Sequence, residues 1–278
     1  MSPETRPRVA TYRLQLHAGF TLDDAAALLD YLAELGISHV YLSPYLQSTP
    51  GSSHGYDVVD PAKVDQDRGG EVAFGRLCRA LRRTGMQQLL DIVPNHMGIG
   101  TRHNRWWWDV LEKGPHSPFA ASFDLDWGQV VGRRPRLLLP CLARPYGEEL
   151  SRGVFRLMNE TYGFTVRYKD REFPLSRQCT EIIHAYSLEL SKGTASGRRA
   201  SLVRLVQALE TLAGPGGHIG SADVAPRLSP VAVLMSTSEG EQQCEMFRRA
   251  LTIISNDHSA MHAVLEAQHY RLASHVLA

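Results

Sequence analysis

Three residues with chemical potential stand close together at the end of QQLLDIVPNH, Gln87 to His96. Asp91 interrupts a short apolar run of Leu89, Leu90, Ile92 and Val93, and Asn95 with His96 follows directly after Pro94. An ionised carboxylate in an apolar strand is costly unless a cation or several donors meet it, so Asp91 requires a partner elsewhere in the fold. Pro94 cannot donate to a ladder and marks the carboxyl end of a strand, where barrels and open α/β sheets keep their chemistry. The stretch reads as a buried parallel strand, covered on both faces, that ends at a site.

A second group is aromatic. NRWWWDVL, Asn104 to Leu111, holds three of the four tryptophans, Trp107 among them, and FDLDW, Phe123 to Trp127, adds the fourth beside two acids. Rings with carboxylates nearby suit a sugar groove, because apolar sugar faces stack on rings while hydroxyls bond to acids. The same residues also suit a packed aromatic cluster. His258 and His262 stand at i, i+4 without an HExxH arrangement or a third ligand, which reads as a helix face and not a metal site. No P-loop is present.

The elements that must position these residues follow from periodicity. Val9 to Leu16 alternates as a strand, and Thr21 with Asp24 resembles a capping box. Ala25, Leu28, Leu29, Leu32 and Leu35 share one helical face, with Gly36 at the C′ position. Ile37 to Leu42 is a second strand, and a loop rich in Ser, Pro and Gly continues through Asp60 and Pro61. From Gly70, the residues Phe74, Leu77, Cys78 and Leu81 keep helical spacing until Gly85, and Gln87 opens the third strand. Strand, helix, strand, helix, strand calls for parallel pairing through crossovers. No G-x-G-x-x-G follows the first strand, which disfavours a dinucleotide site. Further on, Phe155 to Leu157, Phe164 to Tyr168 and Glu172 to Leu175 read as short strands around a Lys169, Asp170, Arg171 turn. Glu181 to Leu212 reads as helix with a Gly/Ser break near Gly193 to Gly197. Gly214 to Gly220 is a second break, and Glu241 to Arg271 returns to helix.

The 278 residues are 43% hydrophobic, with 30 basic and 29 acidic side chains. Such a chain can bury a sizeable core, and it lacks the charge bias of a nucleic-acid or anionic-membrane binder. Its four cysteines have no CxxC spacing, which fits a reducing compartment. No apolar leader or membrane span is evident, so a cytoplasmic location is expected, with no protein partner in evidence.

Two segments then come together: GSSHGYDVVDP, Gly51 to Pro61, after the second strand, and DIVPNHMG, Asp91 to Gly98, after the third. In this order they resemble the first motif regions of the α-amylase superfamily of glycoside hydrolases and transglycosylases. TYRLQLHAGF, YLSPYLQSTPGSSHGYDV, WWWDVLEKGP with FDLDW, and LEAQHYRLA resemble its trehalose-forming branch, over about Ala10 to Ala273. The resemblance implies that Tyr56 is a stacking platform for a sugar, that Asp57 is its polar neighbour, and that His96 bonds the sugar's primary hydroxyl. It makes Asp91 a buried acid paired with an arginine on the fourth strand. His54 and Asn95 take site-shaping roles; Asn95 matches a calcium-ligating position of many members, but neither metal nor cofactor is expected here.

The implied reaction is a retaining intramolecular transglucosylation, an isomerisation of the reducing-end α-1,4 linkage of a maltooligosaccharide to α,α-1,1. Retention needs two carboxyl groups about 5 to 5.5 Å apart, and water must be kept out. The tryptophan-rich segment is the expected wall of that pocket. In the family the catalytic acids follow the fourth, fifth and seventh strands, and only three strands are legible before the long insertion. The expected architecture is therefore α/β: the amino-terminal part of a (β/α)8 TIM barrel, its first three βα units in residues 1–98. A long, largely helical inserted subdomain follows in 99–278. No catalytic residue is assigned, and the chain alone is expected to be inactive. The alternatives are a non-catalytic glucan-binding fragment, another hydrolase or transferase of the superfamily, or a truncated product without function.

Overall fold

The computed structural model describes residues 10–127, 130–131, 134–160, 163–192, 195–213 and 238–275. The chain divides into two compact units, Met1–Arg105 and Trp106–Ala278.

The first unit is built on a parallel sheet of β1 (Thr11–Leu14), β2 (His39–Leu42) and β5 (Gln87–Leu90), in that order. Between β1 and β2 lie α1 (Leu22–Ala27) and α2 (Leu29–Glu34), and α3 (Gly70–Thr84) precedes β5. The Asp24 carboxylate accepts from Thr21 N at 2.7 Å and from Thr21 Oγ1 at 2.8 Å, so the expected residues start the first helix. The single helix expected there is two, with Leu28 between them. Leu28 and Leu35 are exposed, while Ala25, Leu29 and Leu32 are buried. In α3 the buried side chains Ala73, Leu77 and Leu81 recur at helical spacing, and Gly85 ends the helix at φ +67°.

These helices cover one face of the sheet. Alternate strand residues point to opposite faces, and Leu14, Val40 and Leu42 join Leu22, Leu29, Leu32 and Leu77 in one core. Strand β5 is only half-buried, and Ile92 beyond it is exposed. The expectation of a strand covered on both faces is therefore corrected, for a physical reason: β5 is an edge strand, paired with β2 alone among the described residues. The Ser/Pro/Gly-rich stretch after β2 is also more ordered than expected. It contains β3 (Leu46–Ser48) and β4 (Val58–Val64), an antiparallel pair with register shifts on both sides of Gln47.

The second unit starts within α4 (Arg105–Lys113) and continues through a short ladder of β6 (Val130–Val131) and β7 (Arg134–Pro135). Strand β8 (Leu137–Leu142), α5 (Tyr146–Ser151) and the antiparallel sheet β9 (Phe155–Glu160), β10 (Gly163–Tyr168), β11 (Arg171–Pro174) follow. Lys169 takes φ +55° in the tight turn between β10 and β11. Helices α6 (Arg177–Lys192), α7 (Ala195–Ala213), α8 (Ser238–Asn256) and α9 (His258–Glu266) complete the helical part. The expected break near Gly193 lies partly outside the described residues, and Gly214 to Gly220 lies wholly outside them. Helix does not continue through Arg271: Tyr270–Ser274 forms β12, parallel to β8. Phe155, Val166, Tyr168, Cys179, Ile183, Leu209, Phe247, Ile254, Val264 and Tyr270 form the centre of this unit's core.

Candidate functional site

At the carboxyl end of the parallel sheet, register decides which side chains meet. Arg13 lies opposite Tyr41, and Tyr41 opposite Leu89. These three occupy the face that the helices do not cover. Asp91, two residues beyond Leu89, continues the same face, and its N–H bonds Leu42 O at 2.9 Å.

The Asp91 carboxylate accepts from Tyr56 Oη at 2.6 Å and from Tyr41 Oη at 3.1 Å, with Arg13 Nη2 at 3.8 Å. Arg13 Nη2 also donates to Tyr56 Oη at 3.0 Å, its Nη1 donates to Gln15 Oε1 at 2.8 Å, and its guanidinium lies over the Tyr41 ring. The Asp91 side chain retains 20% exposure because it stands just past the edge strand, and within this chain the nearby cation is Arg13 of β1. The hydrogen bond to Asp91 raises the Tyr56 hydroxyl above the ordinary tyrosine range, with burial adding to it and Arg13 opposing it.

Tyr56 is delivered by the connection between β3 and β4. Gly55, at φ +79°, supplies the left-handed turn, and Tyr56 N donates to His54 Nδ1 at 3.0 Å. In that bond Nδ1 is the acceptor, and the same nitrogen lies 3.8 Å from Asp57 Oδ1. Ser52 Oγ donates to Asp57 Oδ1 at 2.5 Å and accepts from Gly55 N at 3.1 Å. The rings of His54 and Tyr56 stack with centroids 6.0 Å apart.

The two motif segments meet at Gly98. Its N–H donates to Val58 O at 2.8 Å, and a Cβ there would stand 2.9 Å from Asp57 O, so only glycine allows this approach without a shift. Asn104 Nδ2 holds Gly98 O at 2.9 Å from the other side. Asn95 and His96 lie exposed on the intervening loop, with His96 Nδ1 3.2 Å from Asn95 Oδ1. With that oxygen accepting, Nδ1 carries the proton, and a neutral ring would present Nε2 as an acceptor.

Trp107 is placed differently. It is 6% exposed in the core of the second unit, edge-on to Phe123 at 5.2 Å, so its ring faces serve packing in that unit. Trp106 stacks on Phe119 at 5.3 Å. Among the described residues, no group of three or more His, Cys, Asp or Glu side chains could hold a metal ion. Nor is any helix among them long and apolar enough to cross a membrane.

The comparisons with known proteins bear on the same segments. Residues 21–129 match the Alpha-amylase family model, described as "Alpha amylase, catalytic domain". A Mycobacterium tuberculosis protein named for maltooligosyl trehalose synthase is 48% identical over 142 residues, 49% of this chain and 18% of the relative. The chain resembles maltooligosyl trehalose synthase. A solved maltooligosyltrehalose synthase from Arthrobacter ramosus is 44% identical with a TM-score of 0.53, covering 61% of this chain and 21% of that one. A second solved maltooligosyl trehalose synthase is 25% identical with a TM-score of 0.62, over 96% of this chain and 25% of the other. The chain thus spans about a fifth of the length of the maltooligosyl trehalose synthase relatives it matches. Both site segments, Gly51 to Pro61 and Asp91 to Gly98, lie inside the amylase match, whereas Arg13 precedes it.

Sequence reasoning missed Arg13, Tyr41, Ser52 and the pair Asp65 and Arg68. A signal existed for the first two. Strand alternation puts Arg13 and Tyr41 on one face of neighbouring strands, the face opposite Leu14 and Leu42, and a charged residue there asks for a partner. Asp65 reads as a loop acid in the sequence but is buried against Arg68.

Proposed function

We propose that the chain contributes the sugar-holding face of an α-amylase-type site, on the first three strands of a (β/α)8 barrel. On this reading it belongs to an enzyme that converts the reducing-end α-1,4 linkage of maltooligosaccharides to α,α-1,1. The observation that carries it is the fixing of Tyr56 by Asp91 and Arg13 at the carboxyl end of a parallel sheet, where such folds keep their chemistry. The Tyr56 hydroxyl both donates and accepts within this network, so the residue offers its ring face to the substrate, where apolar sugar C–H groups stack. His96 Nε2 accepts from the primary hydroxyl, and Asp57 takes a neighbouring hydroxyl. His54 and Asn95 hold these groups in place.

Retention requires a nucleophilic carboxylate and a second carboxyl group as acid and then base, about 5 to 5.5 Å apart. None of the acids on this face takes either role: Asp91 is engaged by two tyrosines and Arg13, and Asp57 by Ser52. The 278 residues therefore bind maltooligosaccharide without turning it over. The test is incubation of the purified chain with maltopentaose and an assay for a non-reducing product. Turnover above blank would overturn the inactivity. Affinity that survives Tyr56→Ala would overturn the sugar-holding role.

A further inference from the structure

Beneath the Tyr56 connection lies an ion pair that a hairpin does not need. Asp65 and Arg68 side chains are 1% and 0% exposed and form a direct salt bridge. Buried pairs of this kind commonly do no better for stability than apolar residues of the same volume. Arg68 Nε is moreover buried without a hydrogen-bond partner among the described residues, a further cost.

The bonds these two side chains make show where their influence goes. Asp65 Oδ2 accepts from Ser48 N at 3.1 Å and Ser48 Oγ at 2.5 Å, and Oδ1 accepts from Asp67 N at 2.9 Å. Arg68 Nη1 donates to Ser48 Oγ at 3.0 Å, and Nη2 reaches Ser52 O at 3.1 Å. Asp67 Oδ2, held by the same turn, accepts from Gly51 N at 3.0 Å. The guanidinium also passes directly under Gly55, where a Cβ would stand 3.0 Å from Nη2 and 2.5 Å from Pro44 O. Ser52, gripped through its carbonyl by Arg68, holds Asp57 and Gly55 through its hydroxyl.

We propose that Asp65 and Arg68 are positioning residues that set the Ser52–Asp57 connection from below, and so fix Tyr56 and Asp57 for the sugar. The inference rests on the sugar-holding reading above. Neither residue reaches the open face; Arg68 acts through the Ser52 carbonyl, and Asp65 acts by holding Arg68 and Ser48. A buried Arg is suited to this because its planar fork serves the carboxylate and the Ser52 carbonyl together, which a lysine ammonium does not.

The experiment uses the full chain, with maltopentaose affinity by calorimetry, thermal melting, and amide hydrogen exchange at Gly55 and Tyr56. Ser52→Ala, at a half-buried position, removes the bonds to Asp57 and from Gly55 N; it should lower melting less than Arg68→Met does and weaken affinity about tenfold or more, the loss of a hydrogen bond to a charged group. Arg68→Met should lower melting, speed exchange at Gly55 and Tyr56, and weaken the affinity of the folded fraction. Arg68→Lys should recover more of the melting temperature than of the affinity. Parental affinity in Ser52→Ala and in folded Arg68→Met, with parental exchange at Gly55, would reduce the pair to a structural role and overturn the proposal. If the parent chain itself fails to bind maltopentaose, the sugar-holding reading falls. Exchange in Arg68→Met then decides the clamp alone: faster exchange at Gly55 and Tyr56 supports it, and parental exchange overturns it.

Discussion

The hydroxyl of Tyr56 donates to Asp91 Oδ2 at 2.6 Å, joining a residue of the β3–β4 connection to the end of β5. Arg13 completes the triangle from β1, so three separate stretches of the first unit are tied at one oxygen. The carboxylate that looked costly in sequence is satisfied by two phenols and a guanidinium, and in return it fixes the orientation of an aromatic ring.

Asp91→Asn should return the Tyr56 phenol toward the ordinary tyrosine value of about 10. The hydrogen bond to the carboxylate raises that value in the folded chain. The stabilisation is therefore fully present below the unfolded tyrosine pKa and is lost as pH rises through the raised one. Carbon-13 shifts of ring-labelled tyrosine, followed between pH 8 and about 12, read this directly. An unchanged Tyr56 midpoint in the variant would contradict it.

Gly55→Ala should destabilise the chain by about 1–3 kcal/mol from backbone strain alone. The residue sits at φ +79°, and its Cβ would collide with Pro44 O. A urea midpoint equal to that of the parent would refute the prediction.

Trp107→Ala separates the two uses of the aromatic segment. With the ring in the second core, truncation should cost about 3–5 kcal/mol and leave maltopentaose affinity of the folded chain unchanged. Lost affinity at retained stability would return Trp107 to the sugar.

Arg136→Met should destabilise the second unit by about 3 kcal/mol, the cost of removing one partner from a largely buried pair. Arg136 Nη2 donates to Glu266 Oε2 at 2.8 Å, and Nη1 donates to the Glu266 carbonyl at the end of α9. Burial pushes the Glu266 carboxyl up, but Arg136 and Arg271 outweigh it and leave it below the ordinary glutamate value. Its contribution is present above that ordinary value and is lost as pH falls through the lowered one. Acid-unfolding curves should therefore shift to higher pH in Arg136→Met, and coincident curves would count against the pair.

How much of this was legible depended on whether the information was local. The spacing of Phe74, Leu77, Cys78 and Leu81 and the glycine at 85 fix α3 within a few residues, because a helix satisfies its own backbone. The β3–β4 pair escaped notice because its register shifts around Gln47 erase alternation, and Pro61 sits inside β4. Strand β12 was masked by the helical pattern running into it, and only its pairing with β8 makes it a strand. The site divides in the same way. Tyr56, Asp57, Asp91 and His96 stand in compact motifs, whereas Arg13 joins them only through sheet register. Arg68 joins only through burial, and neither property is written in a window of sequence.

The parallel pairing of β8 with β12 has a kinetic consequence. The two strands are separated by most of the second unit, and the Arg136 contact with Glu266 spans 130 residues. Closing so long a loop delays the reward of its contacts and slows folding. During synthesis β8 has no strand partner among the described residues until Tyr270–Ser274 leaves the ribosome. The second unit should thus acquire protease resistance in one late step, while the first, whose parallel strands all lie before Asp91, becomes resistant well before it.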